Sequence, residues 1–193
     1  MARIAVVYHS GYGHTARQAE AVARGARGVA GVEASLLTVE EAAKDWEGLE
    51  RADGIVFGTP TYMGSVSAPF KGFMDASSKV WFGQAWKDKI AAGFTNSGSH
   101  SGDKLNTLIQ LAVFAAQHGM VWVPLGLLPG NNSTRGSPED LNRAGFFLGA
   151  GAQSNVDEGP DRGPPPSDLR TAEHLGRRVA EAALRWNAIG GRA

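Results

Sequence analysis

Short apolar runs alternate along this chain with stretches in which apolar residues recur every three or four positions. Ile4 to Tyr8 is a continuous apolar run, which is typical of a strand buried on both faces. Four later segments have a similar strand-like character: Val32–Val39, Asp53–Thr59, Lys89–Thr95 and Met120–Leu125. Strands of this kind, separated by helical stretches, predict an α/β fold with a doubly wound parallel sheet and helices on both faces.

Helical periodicity separates and follows these strands. An all-alanine face predicts a first helix that lies close against the sheet; its members are Ala16, Ala19, Ala23, Ala26 and Ala30. Further helices are predicted around Ala68–Val80 and Asp103–His118. The last helix is predicted to have Ser167 as its N-cap and Asp168 in its first turn, and to end at Gly190-Gly191.

The stretch from Gly126 to Pro166 is rich in Gly, Asn, Ser and Pro and has no sustained period. We predict a long loop insertion, about residues 126–166, in a single domain that covers residues 1–193, since no repeat or second domain is visible. Ser137-Pro138-Glu139-Asp140 predicts a short helix start inside it. The apolar Phe146-Phe147-Leu148 predicts that its middle packs on another surface.

Composition narrows the classes of function. Basic and acidic residues number 19 each, and the zero net charge disfavours a nucleic-acid binder. The chain has no cysteine, so disulfides, thiol nucleophiles and Cys-ligated zinc are excluded, and the five histidines lack metal-site spacing, so no metal is expected. The residues before the first strand are too few for a signal sequence, and no apolar run approaches about 18 residues, so we expect a cytoplasmic protein without membrane insertion.

The loop after the first predicted strand has the composition of a phosphate site. Its sequence is Ser10-Gly11-Tyr12-Gly13-His14-Thr15. Backbone N–H groups at the start of the following helix favour a phosphate, and the hydroxyls of Ser10 and Thr15 add donors. No lysine is present, so we predict a monophosphate held by neutral donors rather than a nucleoside triphosphate. A plain strand-to-helix turn is the alternative.

The same loop also matches a dinucleotide fingerprint, Gly11-x-Gly13-x-x-Ala16. In that interpretation Glu40 would bind a ribose. His9-Ser10 separates the strand from the first glycine, which disfavours the dinucleotide alternative without removing it.

Two further loops are expected at the same edge of the sheet, because ligands of open parallel sheets bind beyond the carboxyl ends of the strands. In the loop after the third strand, Thr61, Tyr62 and Met63 are predicted to line an aromatic ring, with Pro60 stiffening the backbone and Gly64 allowing close approach. Ordinary loop packing is the alternative.

The loop after the fourth strand is Asn96-Ser97-Gly98-Ser99-His100-Ser101. Small polar residues in this number expose several backbone N–H groups, which suit a group that gains negative charge, such as the edge of a reduced flavin. A solvated linker that caps the next helix is the alternative.

These pieces together resemble the WrbA-type NAD(P)H:quinone oxidoreductases of the flavodoxin-like superfamily. The matching sequences are YHSGYGHT at 8–15, FGTPTYMG at 57–64, FKGFMD at 70–75 and HGMVWVPLG at 118–126. The resemblance implies a flavodoxin-like five-stranded sheet with strand order 2-1-3-4-5 and non-covalently bound FMN. Ser10–Thr15 would hold the phosphate, Thr61–Met63 the isoalloxazine ring and Asn96–Ser101 its pyrimidine edge.

The resemblance also implies a reaction, in which hydride passes from NADH or NADPH through FMN to a quinone or a similar small acceptor. Tyr12 resembles the residue that meets the nicotinamide, and Trp81 an aromatic wall of the acceptor pocket, although a core tryptophan is the equal alternative. Gln117 or His118 falls where the family has a histidine beside the ring. A role in protonating or orienting a quinone oxygen would follow, although a structural histidine is the commoner case.

One departure from the family leaves the acceptor and the choice between NADH and NADPH open: Tyr62 and Met63 stand where the family usually has an arginine and an aromatic residue. The family implies a homodimer or homotetramer, with residues 126–166 as a candidate contact. Three other functions also stay open. They are an NAD(P)H-dependent FMN reductase or NAD(P)H oxidase, an electron-transfer flavodoxin, which zero net charge disfavours, and a non-enzymatic interaction protein on the same fold.

Overall fold

A parallel sheet forms the centre of the protein in a computed structural model that describes residues 1–189. Its strands are β1 (Ala2–Tyr8), β2 (Val32–Thr38), β3 (Gly54–Tyr62), β4 (Ser65–Val66), β5 (Ile90–Ser97), β6 (Val121–Trp122) and β7 (Ala150–Gln153). The order across the sheet is β2-β1-β3-β5-β6, which is the order predicted from the sequence once β4 and β7 are set aside. The doubly wound α/β class is therefore confirmed.

The fifth position of the sheet differs from the prediction because two separate segments share it. β6 pairs with Ile90–Ala91 and β7 pairs further along β5 with Phe94–Ser97. The predicted strand Met120–Leu125 is therefore too long, since only two of its residues pair with β5 and Pro124 has no N–H to donate. β7 lies within the stretch predicted as a loop, and its small residues gave no strand signal.

Seven helices surround the sheet within the described residues: α1 (His14–Arg27), α2 (Val39–Ala42), α3 (Trp46–Arg51), α4 (Ala68–Ala76), α5 (Ser78–Phe82), α6 (Lys104–Gln117) and α7 (Pro166–Ile189). Side chains of β1 alternate between two cores, as the pleat of a strand requires. Ile4 and Val6 pack in the core under α1 and α7, whereas Ala5 and Val7 pack in the core under α2 to α6. Of the described helices, none has both the length and the hydropathy that crossing a bilayer needs.

The alanine face of α1 packs against α7 as well as against the sheet. A methyl group on Gly25 of α1 would collide with the backbone carbonyl of Glu173, and one on Gly176 of α7 would collide with that of Val22. The two helix backbones therefore approach closely because a glycine faces the other helix on each side. Ala30, predicted to belong to this face, lies beyond the helix and is exposed.

Several predicted helix limits are wrong. The helix predicted over Ala68–Val80 is two helices separated at Ser77, whose hydroxyl donates to the carbonyl oxygen of Met74 at 2.7 Å. α7 begins at Pro166, so Ser167 lies inside the first turn with a buried hydroxyl that has no hydrogen-bond partner, and it is not the N-cap. The predicted end at Gly190-Gly191 falls outside the described residues.

The insertion between β6 and β7 is irregular. Residues 138–140 form a turn and a bend, so the predicted helix start is absent there. Phe146 and Leu148 are partly buried, whereas Phe147 is mostly exposed, so the middle of the insertion packs only in part.

Candidate functional site

A cavity of about 570 Å³ opens at the carboxyl ends of β1, β3 and β5. Its volume lies within the range of cofactor pockets. All three predicted loops contribute to its lining, through Ser10, Tyr12, His14, Thr15, Pro60, Thr61, Tyr62, Asn96, Ser97 and Gly98. A fourth segment, which the sequence did not indicate, contributes Ser154, Asn155, Val156, Glu158 and Gly159. We call this space the sheet-edge cavity.

The first loop turns β1 directly into α1. The N–H of Gly13 donates to the hydroxyl of Ser10 at 3.0 Å, and Gly13 precedes the helix with a φ of 89°, which a side chain would disfavour. The first N–H groups of α1 have no acceptor within the helix, and Thr15 lies in that turn. Gly11 and Gly13 shape this loop but do not line the cavity. The arrangement offers neutral donors to an anionic group.

Glu40, the acid of the dinucleotide alternative, lies elsewhere. It lines a separate cavity of about 260 Å³ together with Gly13 and Ala16 of the fingerprint. Glu40 and the fingerprint therefore share one surface, but that cavity is smaller than the usual cofactor pocket, and Glu40 does not line the sheet-edge cavity.

The second predicted loop is a continuation of β3 followed by a tight hairpin. β3 extends to Tyr62, and β4 pairs back onto Thr61 and Tyr62 in the antiparallel direction. Met63 and Gly64 form the turn with φ values of 48° and 76°, as a two-residue hairpin turn requires. Met63 is fully exposed, and neither Met63 nor Gly64 lines the cavity, so the prediction that Met63 lines the ring site is not met in this chain.

Hydroxyl groups fix the floor of the cavity. The Thr61 hydroxyl oxygen lies 2.8 Å from that of Thr95 and 2.8 Å from that of Thr107, which joins β3, β5 and α6. Next to it, the Ser67 hydroxyl lies 3.0 Å from that of Thr59 and 2.8 Å from Nδ1 of His9. These buried hydrogen bonds hold the end of β3 in one position.

Two tyrosine rings stand at the mouth of the cavity. The rings of Tyr12 and Tyr62 meet edge to face, with centroids 6.3 Å apart and an angle of 75°. Tyr62 lies across the first loop. Its hydroxyl oxygen is so close to Gly11 that a methyl group on Gly11 would come within 2.5 Å of it. Burial raises the pKa of Tyr62, and the neighbouring Tyr12 adds to that effect. Tyr12 is 78% exposed and therefore accessible to a ligand that enters from solvent.

Of the loop predicted as residues 96–101, only Asn96, Ser97 and Gly98 line the sheet-edge cavity. The Asn96 side-chain amide donates to the Ser154 hydroxyl at 2.9 Å, which joins this loop to the fourth segment. Ser99 does not line the sheet-edge cavity, and His100 and Ser101 line a neighbouring cavity of about 900 Å³ under the insertion. The reason is a change of chain direction into α6 at Gly102 and Asp103, which both have positive φ.

The fourth segment closes the side of the cavity over the first loop. Nε2 of His14 lies 2.9 Å from the carbonyl oxygen of Glu158. Pro160 packs against Gly13, where a methyl group would come within 2.8 Å of the proline ring. The sequence did not indicate this segment, because β7, the strand before it, consists of small residues that give no strand signal.

Trp81, Gln117 and His118 lie together but outside the sheet-edge cavity. They line a groove of about 520 Å³ between α4, α5 and α6, which we call the α5–α6 groove. Trp81 is 43% exposed, so the alternative of a core tryptophan is wrong. The predicted grouping of these residues with Tyr12 around one substrate is not present within a single chain.

His118 has the environment of a buried structural histidine. It is 2% exposed, its Nε2 lies 2.9 Å from the Ser77 hydroxyl, and its ring lies 4.4 Å from that of Trp86. Burial lowers the pKa of His118 to about 4, so the ring is neutral at physiological pH. A neutral ring with this pKa is a poor proton donor to a substrate near neutrality.

Known proteins with related sequences share both the fold and the length of this chain. The model of the family described as NADPH-dependent FMN reductase matches residues 33–134, just over half of the chain. Flavodoxin FldP of Pseudomonas aeruginosa is 45% identical over 97% of this chain and 100% of that protein. An NAD(P)H dehydrogenase (quinone) of Archaeoglobus fulgidus is 34% identical over 95% of this chain and 98% of its own.

A solved structure gives the same relationship in three dimensions. The flavodoxin, WrbA-like protein from Agrobacterium tumefaciens superposes with a TM-score of 0.75 at 43% identity. The match covers 96% of this chain and 99% of that one. The insertion between β6 and β7 is therefore included in the compared length.

Proposed function

The chain belongs to the NADPH-dependent FMN reductase family, as a flavodoxin-like, WrbA-related member, and on that premise we propose that it is an FMN-dependent oxidoreductase that reduces a quinone with NAD(P)H. The observation that carries the proposal is the sheet-edge cavity, which three strand ends and the segment after β7 build together. Its donors at the start of α1 are backbone N–H and hydroxyl groups, and among residues 1–189 no lysine or arginine lines it, although the His14 ring does. A flavin monophosphate fits this donor set.

The proposal gives each wall of the cavity a part in holding FMN. The first turn of α1, with Ser10 and Thr15, would bind the phosphate through N–H and hydroxyl donors. Thr61 and Tyr62 would lie against the ring, and Asn96 would meet its polar edge. When bound, FMN supplies the two-electron chemistry between NAD(P)H and the acceptor.

The chain's own contribution is positioning and electrostatics. The hydrogen bonds of Thr61 and Asn96 hold two walls in place before any ligand arrives. Backbone N–H groups after β5 would favour the negative charge that a reduced cofactor gains. Tyr12 is the side chain that we propose meets the nicotinamide, because it is aromatic, exposed and at the mouth of the cavity.

The test is the visible spectrum of the purified protein, followed by anaerobic addition of NADPH or NADH and then of a benzoquinone. We expect a yellow protein, or one that becomes yellow with FMN, whose colour is bleached by one of the two nucleotides and restored by the quinone. A colourless protein that does not take up FMN would refute the proposal. Faster turnover with dioxygen or free FMN than with quinone would assign the oxidase or flavin reductase alternative.

An electron-transfer flavodoxin is a second candidate function, because the relative named a flavodoxin is 45% identical. The equal numbers of basic and acidic residues disfavour it, since docking on a charged partner gains nothing from a neutral surface. Repeated turnover of NAD(P)H with quinone as the sole acceptor supports the enzyme. Failure of both nucleotides to reduce the bound flavin supports the carrier.

We also propose that the protein is a homo-oligomer that works in the cytoplasm, where it would draw on the NAD(P)H pool. Leu105, Ile109 and Val113 form an exposed apolar stripe on α6, next to the exposed Trp81 in the α5–α6 groove. Light scattering is expected to give a dimer or tetramer, and Ile109→Lys to give a smaller species. A monomeric unsubstituted protein would refute the assembly.

A further inference from the structure

Lys104 is a completely buried lysine next to the sheet-edge cavity. It is the first residue of α6, and its side chain has no exposed surface. Lysine is almost never fully buried without a partner, because the charged group loses its hydration. Its Nζ donates to the hydroxyl of Ser97 at 2.6 Å and to the carbonyl oxygen of Ser99 at 2.5 Å. Ser97 itself lines the cavity.

The charges around Lys104 leave its ammonium without a carboxylate of its own. Asp168 of α7 attracts it and Arg143 of the insertion repels it, but Asp168 already accepts two hydrogen bonds from Arg143. No carboxylate lies within 4.0 Å of the Lys104 ammonium among residues 1–189. The remaining neighbour is the ring of Phe146, whose centroid lies 6.0 Å from Nζ.

The ammonium nevertheless remains largely charged at neutral pH. Burial lowers the pKa of Lys104 to about 8, against the attraction of Asp168. A charge inside the protein is screened far less than one at the surface, so it acts on groups several ångströms away. The Ser97 hydroxyl accepts from Lys104 and donates to the carbonyl oxygen of Ser99. Because Ser97 also lines the sheet-edge cavity, an occupant of that cavity lies on the other side of this residue from the charge.

We propose that Lys104 is a positioning residue that, through Ser97, directs a buried positive charge at the polar edge of the bound flavin and so stabilises the reduced cofactor over the oxidised one. The proposal rests on the proposed function, because it requires FMN in the sheet-edge cavity. Backbone N–H donors after β5 favour the reduced cofactor through their dipoles. A buried full positive charge adds to that preference, because it interacts more strongly with the state that has more negative charge.

The measured quantity is the ratio of the dissociation constants for oxidised and reduced FMN. Removing the charge with Lys104→Met keeps the length and apolar stem of the side chain. We expect the preference for the reduced cofactor to fall about tenfold, which for a two-electron couple lowers the midpoint potential of bound FMN by about 30 mV. The affinity for oxidised FMN should change much less than the affinity for reduced FMN.

The matched control is Lys87→Met. Lys87 is exposed and precedes β5, so it lies at the opposite end of that strand from the cavity, and its loss changes the net charge equally. We expect the control to leave the midpoint potential unchanged. Equal potentials in the two variants would overturn the proposal. Equal weakening of oxidised and reduced FMN binding in Lys104→Met would also overturn it, since a purely structural role predicts that result.

A second measurement applies if Lys104→Met does not fold. Lysine-selective NMR of the unsubstituted protein with bound FMN follows the titration of each ammonium, and Lys104 is distinguished by its low titration point. Because linkage is reciprocal, reduction of FMN should move that titration to higher pH, and an unchanged titration would overturn the inference. A protein that binds no FMN would refute the proposed function as well, whereas FMN binding with no effect of Lys104 would refute this inference alone.

Discussion

Arg143 and Asp168 face one another at the base of the insertion, with Nε to Oδ1 at 2.8 Å and Nη2 to Oδ2 at 2.9 Å. The backbone N–H of Gln153 donates to the same carboxylate at 2.9 Å. The side chains of Arg143 and Asp168 are 12% and 2% exposed, so solvent screens this ion pair weakly. This ion pair joins the insertion, β7 and α7, three segments that follow one another along the chain.

Arg143→Met should destabilise the protein by about 3–5 kcal/mol, because it leaves the Asp168 carboxylate buried without its cation. The free energy of unfolding from urea titration checks this value. Arg17→Met is the matched control, since the Arg17–Glu20 pair is exposed and such pairs contribute about 1 kcal/mol at most. Similar decreases in the free energy of unfolding in both variants would show that the buried ion pair stabilises the protein no more than the exposed one.

Gly176→Ala should destabilise the crossing of α1 and α7 by about 1–3 kcal/mol or more, because the added methyl group collides with the backbone of Val22. Gly72→Ala, in α4, is the control, because no atom lies within 4 Å of a methyl group there. That substitution should raise stability by roughly 0.5–1 kcal/mol through helix propensity. Thermal unfolding of the two variants distinguishes them, and a stable Gly176→Ala protein would contradict the close helix approach.

The burial of His118 predicts that the protein loses stability in mild acid. Its pKa is lowered to about 4 in the folded protein from an ordinary value of 6.5, so the unfolded chain binds a proton first as pH falls. Stability contributed by the neutral ring is therefore present above pH 6.5 and lost between pH 6.5 and about 4, by about 3 kcal/mol in total. His118→Gln should lose less stability over this window by about that amount. His100→Gln, in an exposed loop, should follow the unsubstituted protein, and parallel curves for all three would contradict the assignment.

Thr15→Glu tests the first turn of α1 as the phosphate site. A carboxylate there would repel a phosphate dianion within a few ångströms, and we expect the affinity for FMN to fall by about 100-fold or more. Titration of the apoprotein with FMN measures this, with circular dichroism to establish that the variant is folded. Thr134→Glu adds the same charge at an exposed position in the insertion and should bind FMN normally. Unchanged affinity in Thr15→Glu would reject the site.

Trp81→Ala tests whether the α5–α6 groove takes part in acceptor binding. We expect kcat/KM for the quinone to fall up to about tenfold through loss of an aromatic contact, with FMN affinity unchanged. Phe82→Ala is the control, because Phe82 is 85% exposed and does not line the groove. If Trp81→Ala changes only the free energy of unfolding, the residue has a structural role and no part in the acceptor site.

The sequence predicted the strands of the sheet because buried parallel strands need apolar runs, as in Ile4 to Tyr8. It missed β7 because Ala150-Gly151-Ala152 owes its place to tertiary fit: a methyl group on Gly151 would collide with Phe146, and Gln18 of α1 donates to the carbonyl oxygen of Ala150 at 3.1 Å. Such contacts between distant segments leave no local periodicity in the sequence.

The residues of the candidate site also fall into those that the sequence predicted and those that it missed. Ser10, Thr61 and Asn96 were predicted because they follow strands on one edge of the sheet. Glu158 and its neighbours were missed with β7, the strand that positions them. His100 was placed wrongly because the sequence does not reveal where the positive φ of Gly102 and Asp103 turns the chain away.

The shared fifth position of the sheet places one wall of the cavity, residues 154–159, directly after a short strand at the edge of the sheet. β7 is four residues long and has β5 as its one partner strand, so its amide protons should exchange with solvent sooner than those of β3, which lies between β1 and β5. Residues 154–159 are tethered directly to that strand. Fraying at the end of the sheet therefore offers a route by which a ligand as large as a nucleotide enters and leaves without disturbing the central strands.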